Sequence, residues 1–184
     1  MTETIRKTMD LPPGRSDVVH CSWVLHQVSE AEEPLRRMAR ALRPGGRLEL
    51  EWAGAQPRGA GTGPLGILRA LAATPRWKDL FAAAPPALHG HPADTVADVL
   101  TQAGLELTHY EPRLPPPFGG KERVRPRVRE LAGMRTWFRW TWFAAEAEAL
   151  GDLFDEFLDE SMWALVEAGE TDPHHARIVA RRPV

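Results

Sequence analysis

The spacing of apolar residues along the chain predicts an α/β protein. A short β-branched run, "DVVHC" (17–21), follows a Pro/Gly turn and predicts the first strand. Apolar residues at helical spacing then predict a helix that begins at Ser29, with Glu32 completing a capping box. In "RLELEW" (47–52) apolar and charged residues alternate, which predicts a strand with one apolar and one charged face. "RPGG" (43–46) predicts the end of the preceding helix.

The rest of the chain repeats this alternation of helices and strands. The predicted elements are a helix near 65–82, a helix within "HPADTVADVLTQAG" (91–104), a strand "LELTHYE" (105–111), a mostly helical stretch at 122–168 and a last strand "ARIVARRP" (176–183). Strands separated by helices favour parallel pairing in one sheet.

Composition excludes several classes of function. A net charge of -2 gives no overall attraction to nucleic acid or to anionic membranes, so neither is an expected partner. Cys21 is the only cysteine in the sequence, which excludes an internal disulfide and a Cys-rich zinc site. No apolar run approaches the ~18 residues of a membrane span, and no signal-peptide pattern is found at the N-terminus. The expected location is the cytoplasm.

Two motifs resemble ligand-binding sites, but neither predicts one. "GTGPLG" (61–66) satisfies G-x-G-x-x-G, yet it lies well beyond the preceding strand and contains Pro64, so a flexible loop is favoured over a dinucleotide site. The pairs at 89/91 and 174/175 place four histidines in two short segments. No carboxylate or thiol at ligand spacing completes a metal site around them, and no metal is predicted.

Most of residues 11–112, together with 176–183, resemble class I S-adenosylmethionine (SAM)-dependent methyltransferases. The resemblance rests on "SDVVHCSWVLHQV", "LRRMARALRPGGRLELEW", "HPADTVADVLTQAGLELTHYE" and "ARIVARRP". Within that class the chain is similar to the small-molecule, trans-aconitate methyltransferase-like branch. The family's sheet has strand order 3-2-1-4-5-7-6, with the seventh strand antiparallel.

The resemblance implies a truncated Rossmann-like methyltransferase sheet that holds family strands four to seven. A half methyltransferase-like core would comprise 1–121 and 171–184, and 122–170 would form a helical insertion before the last strand. This insertion would be a substrate lid or an interface. Strands one to three, which carry the family's Gly-rich SAM turn and the acidic residue for the ribose, have no counterpart in the sequence. The chain is therefore expected to bind no cofactor alone, and SAM is expected on a partner chain.

The first strand would then be an uncovered, apolar sheet edge. Val18 and Val19 lie in this strand without a proline or lysine to discourage pairing, so they are candidate interface residues. The partner would be a second methyltransferase chain or another copy of this chain. Three functions follow from the resemblance: a subunit of a heteromeric small-molecule methyltransferase that is inactive alone, a non-catalytic scaffold or activator, and a repurposed cofactor-free enzyme or ligand-binding protein.

By resemblance, the wall after the first strand borders the methyl donor and the acceptor. His26 is the candidate catalytic residue there, either as a base or as a substrate contact, although a structural hydrogen-bonded histidine is the alternative. Trp23, Trp137, Trp140 and Arg135 are candidate substrate-binding residues, with core or interface packing as the alternative for the aromatic ones. Glu49 and Glu51 indicate a thinly covered sheet face and are assigned no chemistry.

Overall fold

The computed structural model describes residues 12–56, 63–82, 89–113, 152–168 and 174–184. Numbered over these residues, the strands are β1 (Ser16–Ser22), β2 (Leu42–Trp52), β3 (Glu106–Glu111) and β4 (Ala176–Arg181). The helices are α1 (Glu32–Ala41), α2 (Gly63–Ala72), α3 (Lys78–Ala82), α4 (Ala93–Gln102) and α5 (Asp152–Ala168), with a 3₁₀ turn at Leu25–Gln27.

The chain divides into two compact units. The first comprises Met1–Gly59, His89–Leu114 and His174–Val184, and the second comprises Ala60–Leu88 and Pro115–Pro173. All the described strands belong to the first unit, together with α1 and α4. The second unit contains α2, α3 and α5. The predicted insertion at 122–170 falls within the second unit, where the structure describes 152–168.

The described strands form one sheet of order β1-β2-β4-β3. β1 and β2 are parallel, and β4 runs antiparallel to both β2 and β3. This is the order 4-5-7-6 with an antiparallel seventh strand, which confirms the α/β, Rossmann-like methyltransferase sheet expected from the resemblance. β1 is an edge strand of the described sheet.

The hydrophobic core of the first unit lies between the sheet and two helices. α1 and α4 pack against each other because each presents an apolar stripe at helical spacing. The central strands contribute every second residue: Leu48, Leu50 and Trp52 from β2, and Ala176, Ile178 and Ala180 from β4, all fully buried. On the outer side of α1, Glu32 pairs with Arg36 and Glu33 pairs with Arg37, one helical turn apart.

The opposite face of the sheet is charged, because the alternation in β2 places its carboxylates there. Glu49 accepts a 2.6 Å hydrogen bond from Arg47 and lies 3.3 Å from the Nδ1 atom of His20 on β1. These contacts, led by the Arg47 hydrogen bond, hold the pKa of Glu49 below its usual value. Since these side chains remain partly exposed, the face needs no apolar cover.

The structure corrects three predicted boundaries. α1 begins at Glu32 rather than at Ser29, and its N-cap residue Ala31 makes no side-chain capping bond, so the predicted capping box does not form. "RPGG" belongs to β2, which starts at Leu42. The single helix predicted near 65–82 is two helices, and α2 begins at Gly63, so the second half of "GTGPLG" is helical rather than loop.

Gly46 of β2 lies in close contact with the backbone of β1. A Cβ atom there would lie 2.9 Å from the carbonyl oxygen of Ser16 and 3.1 Å from that of Asp17, both backbone atoms of the neighbouring strand segment. We expect Gly46→Ala to lower the free energy of unfolding by about 1–3 kcal/mol, because the two chain segments must separate. Urea unfolding of both proteins measures the difference.

Gly90→Ala is the matched control for Gly46→Ala. Its Cβ would meet only ordinary contacts, the nearest at 3.4 Å. We expect the free energy of unfolding to change by less than about 0.5 kcal/mol. Equal effects of the two substitutions would contradict the close approach inferred at Gly46.

The second unit has an aromatic core of its own. Phe157 of α5 packs against Trp77 and Phe81, with ring centroids 5.4 and 4.4 Å apart. At the rim, the Trp77 indole and the Arg76 guanidinium both donate to Glu160, at 3.0 and 2.9 Å.

In the part of the chain that the structure describes, no helix is long and apolar enough to cross a membrane.

Candidate active site at the carboxyl edge of the sheet

The chain segments that follow β1 and β2 meet at one edge of the sheet. Because these two strands are parallel, both end there, and the antiparallel strand β4 begins there. The edge therefore gathers residues 23–28, 53–56 and 174–175 from three distant parts of the sequence. Ligands of open α/β sheets bind outside the carboxyl ends of the strands, at the point where strand order reverses. β1 borders that point in the family order.

Trp23 follows β1 directly and has a strained backbone. Its φ is +58°, in the left-handed region that non-glycine residues rarely adopt. Its N–H donates a 2.8 Å hydrogen bond to the carbonyl oxygen of Glu51 at the end of β2. The indole ring lies 4.4 Å from the His175 ring and 6.3 Å from the His26 ring, centroid to centroid. Trp23 thus joins the other two segments of the edge.

His26 is buried within the 3₁₀ turn and is only 1% exposed. Burial first, and the nearby His91 and His175 to a smaller extent, lower the pKa of its imidazole to about 4. The ring is therefore neutral near pH 7, when it both donates and accepts hydrogen bonds. A neutral imidazole with a pKa this low is a weak base, so it is better suited to orienting a polar group than to holding a proton.

His91 fixes the loop before α4 to this edge. Its Nε2–H donates to the carbonyl oxygen of Val28 at 2.8 Å, and its backbone N–H donates to Gly54 at 2.9 Å. Its own carbonyl accepts a 2.9 Å hydrogen bond from the Trp52 indole. Because a carbonyl can only accept, Nε2 carries the proton. Burial lowers the pKa of His91 as well.

His175 and Glu51 form a pair that sequence reasoning did not assign. The Nε2 atom of His175 lies 3.3 Å from Oε1 of Glu51, and the His175 side chain is only 4% exposed. Glu51 reaches this position because it is the last charged residue on the polar side of β2. The signal in the sequence was present, since a carboxylate near the end of a central strand departs from the usual apolar run.

The remaining predicted residues are placed as follows. Val18 is 40% exposed on the edge strand, and Val19 is half-buried against the core. Trp137, Trp140 and Arg135 lie outside the described residues. Burial raises the pKa of the Cys21 thiol, which keeps the thiol protonated. Across the described ranges, no group of three or more His, Cys, Asp or Glu side chains is arranged to hold a metal ion.

A groove of about 710 Å³ lies beside this edge, between the first turns of α1 and α4. Its volume suits a small ligand. His91 and Val28 line the groove, together with the glutamates and arginines of α1. These charges already neutralise one another through the Glu32–Arg36 and Glu33–Arg37 pairs, so the groove presents no strong charge of either sign.

Comparisons with known proteins agree with this fold. The family model described as "Methyltransferase domain" matches residues 2–50, which include β1, α1 and most of β2. The structure of loganic acid methyltransferase with SAH superposes with a TM-score of 0.62 at 13% identity, over 94% of this chain and 63% of that one. A putative sarcosine dimethylglycine methyltransferase from Galdieria sulphuraria gives 0.56 at 12% identity, over 95% and 57%. The [4+2]-cyclase SpnF gives 0.52 at 21% identity, over 96% and 53%.

The chain is therefore methyltransferase-like, with the Rossmann-like fold of class I SAM-dependent methyltransferases. At these identities the superpositions establish the fold alone. The chain spans between 53% and 63% of the length of these three solved proteins. No curated protein is significantly similar to it in sequence.

The described residues do not fit a complete SAM site. The resemblance assigns the cofactor to a Gly-rich turn after the family's first strand and to an acidic residue that ends the second. In the described residues, β1 corresponds to the family's fourth strand, and no Gly-rich strand-to-helix turn adjoins it. At the carboxyl edge, these residues bring together Trp23, His26 and the Glu51–His175 pair.

Proposed function

We propose that this chain forms the acceptor side of a SAM-dependent small-molecule methyltransferase, and that a partner chain docked along β1 carries the cofactor. The observation that carries the proposal is the position of β1. It is an edge strand of the described sheet, and it bears Trp23 and His26 at its carboxyl end. A strand edge that offers unpaired backbone groups favours pairing with another chain. Such pairing would bring a second polypeptide directly against these two side chains.

The proposed acceptor side acts through position and polarity. In this proposal, SAM bound to the partner chain would supply the methyl group, and the residues of this chain would hold the acceptor. Neutral His26 would accept a hydrogen bond from the O–H or N–H of the acceptor, and the Trp23 ring would close the wall and exclude water. Positioning of this kind supplies much of the acceleration of a bimolecular transfer.

The solved structure of a [4+2]-cyclase with this fold supports a second candidate, a repurposed enzyme or ligand-binding protein that needs no cofactor. A third candidate is a scaffold that activates a complete methyltransferase without contacting its substrate. All three share the carboxyl-edge site or the β1 edge, and they differ in whether SAM binds when the partner is present.

SAM binding with and without a partner tests the proposal. We expect calorimetry with S-adenosylhomocysteine to detect no binding to the purified chain, and micromolar binding to the complex that co-purifies with it. Light scattering would give the stoichiometry of that complex and distinguish a homodimer from a heteromer. Tight binding by the monomer would contradict the proposal. A complex that never binds the cofactor would favour the cofactor-free candidate.

Substitutions at the two sheet edges provide the matched control. Val18→Lys places a charge on the edge proposed to pair, where Val18 is 40% exposed. Leu107→Lys does the same on β3, the opposite edge, where Leu107 is 36% exposed. We expect Val18→Lys to weaken assembly by about tenfold or more, equivalent to about 1.4 kcal/mol, and Leu107→Lys to leave it unchanged. Equal effects would contradict docking at β1.

A further inference from the structure

Three residues at the carboxyl edge hold one another in a closed cycle of contacts. The backbone carbonyl of Glu51 accepts the Trp23 N–H at 2.8 Å. The carboxylate of the same Glu51 lies 3.3 Å from Nε2 of His175. The His175 ring in turn packs on the Trp23 indole, with centroids 4.4 Å apart and ring planes inclined by 36°. The backbone of Glu51 therefore contacts Trp23, and its side chain contacts His175, the other partner of the same aromatic pair.

This cycle coincides with local backbone strain. Among the described residues, the non-glycine positions with positive φ are Trp23 at +58° and His174 at +48°. One begins the segment after β1, and the other immediately precedes His175. A strained conformation persists only where its surroundings determine it, and such positions concentrate at functional sites. Here the contacts of Glu51 and His175 hold the strained segments in place.

The cycle also reaches the candidate catalytic residue. The His26 ring meets the Trp23 ring edge to face, 6.3 Å between centroids at 79°. A shift of the Trp23 indole would therefore remove one wall of the buried His26 ring. His26 and Trp23 come from the same short segment, whereas Glu51 belongs to β2 and His175 immediately precedes β4. Glu51 and His175 therefore hold the position of Trp23 and His26.

We infer that Glu51 and His175 are positioning residues of this site: they hold Trp23, and through it His26, at the carboxyl edge of the sheet. Calling this edge an acceptor site rests on the function proposed above, but the cycle itself does not. His175 would touch neither acceptor nor cofactor. It would act through the indole that it packs against.

Fluorine NMR of the chain labelled with 5-fluorotryptophan tests the inference without SAM, an acceptor or a partner. Loss of one signal in Trp23→Phe assigns the Trp23 resonance. At a fixed pH, we expect His175→Gln to shift and broaden this resonance, because the indole loses the ring that packs against it. Glu51→Gln should also shift it, because the His175 ring loses the carboxylate that lies 3.3 Å from its Nε2 atom. Glu51→Asp, which keeps the carboxylate, should restore most of the original chemical shift.

Glu49→Gln is the matched control, because Glu49 lies on the same face of β2 and is also 3.3 Å from a histidine, the exposed His20. This substitution should leave the Trp23 resonance unchanged. The His26 ring signals should likewise shift in Glu51→Gln and not in Glu49→Gln. A Trp23 resonance that responds equally to both, or that is unchanged in His175→Gln, would overturn the inference. Because no cofactor or partner enters the experiment, either result leaves the proposed function to its own test.

Discussion

Replacing Trp52 with alanine is expected to lower the free energy of unfolding by about 3–5 kcal/mol. Trp52 is fully buried at the end of β2 and is among the largest side chains in the core. Its removal leaves a cavity between the sheet and the helices. It also removes the indole hydrogen bond to the carbonyl of His91, which costs about 1 kcal/mol more. This substitution would therefore disturb both the core and the loop that carries His91.

Urea unfolding followed by circular dichroism measures this effect. Trp163→Ala is the control, because Trp163 is 69% exposed on α5 and its loss should change stability by less than about 0.5 kcal/mol. Trp52→Phe separates the two contributions, since it fills much of the space but cannot donate to His91. Similar midpoints for Trp52→Ala and Trp163→Ala would contradict the buried position of Trp52.

Acidification is expected to destabilise the protein through His26 before its carboxylates are protonated. The folded pKa is about 4, whereas the ordinary value is 6.5, so the unfolded chain binds this proton more tightly. The stability that His26 contributes is fully present above pH 6.5 and is lost as the pH falls toward 4. Its full value is about 3 kcal/mol, of which roughly 2 kcal/mol is lost by pH 5. The lowered pKa of His91 acts in the same direction.

Urea unfolding at pH 7.5 and at pH 5 tests this expectation by difference. Between these pH values, the free energy of unfolding of the unmodified protein should fall by about 2 kcal/mol more than that of His26→Asn. This difference does not depend on the stability that the substitution itself costs. His20→Gln serves as the control, because His20 is exposed on the polar face and should leave the difference unchanged. An equal loss in His26→Asn and in the unmodified protein would contradict a buried, neutral His26.

Local patterns predicted most of the elements, because their signals are confined to a few neighbouring residues. The alternation in β2 correctly separates the buried Leu48 and Leu50 from the polar Glu49. The strand order came from the resemblance, since no local pattern places β4 between β2 and β3. The predicted start of α1 was wrong, because a contact with a residue far along the chain determines where the helix begins. The carbonyl of Val28 is bound by His91, 63 residues away, and the chain up to Ala31 stays outside the helix.

The sequence predicted only part of the candidate site, because some of its residues are neighbours in sequence and others are brought together by the fold. Trp23 and His26 lie in the segment that the resemblance identified, and the structure places both at the carboxyl edge. Glu51 and His175 were missed because their meeting depends on a register between β2 and β4, two strands more than 100 residues apart in sequence. A histidine pair before a last strand is compatible with several roles until the antiparallel direction of that strand is known.

Because β1 is an edge strand, the binding of a partner chain and the ordering of the segment after β1 are coupled equilibria. In the described sheet β1 is paired on one side only, and the segment holding Trp23 and His26 continues directly from it. Edge elements open at lower free energy than central ones. A chain that pairs with β1 would bind only its ordered form, and would therefore raise the population of that form by mass action. Occupancy of this edge, rather than a change of shape elsewhere, would then set the fraction of molecules whose candidate site is in order.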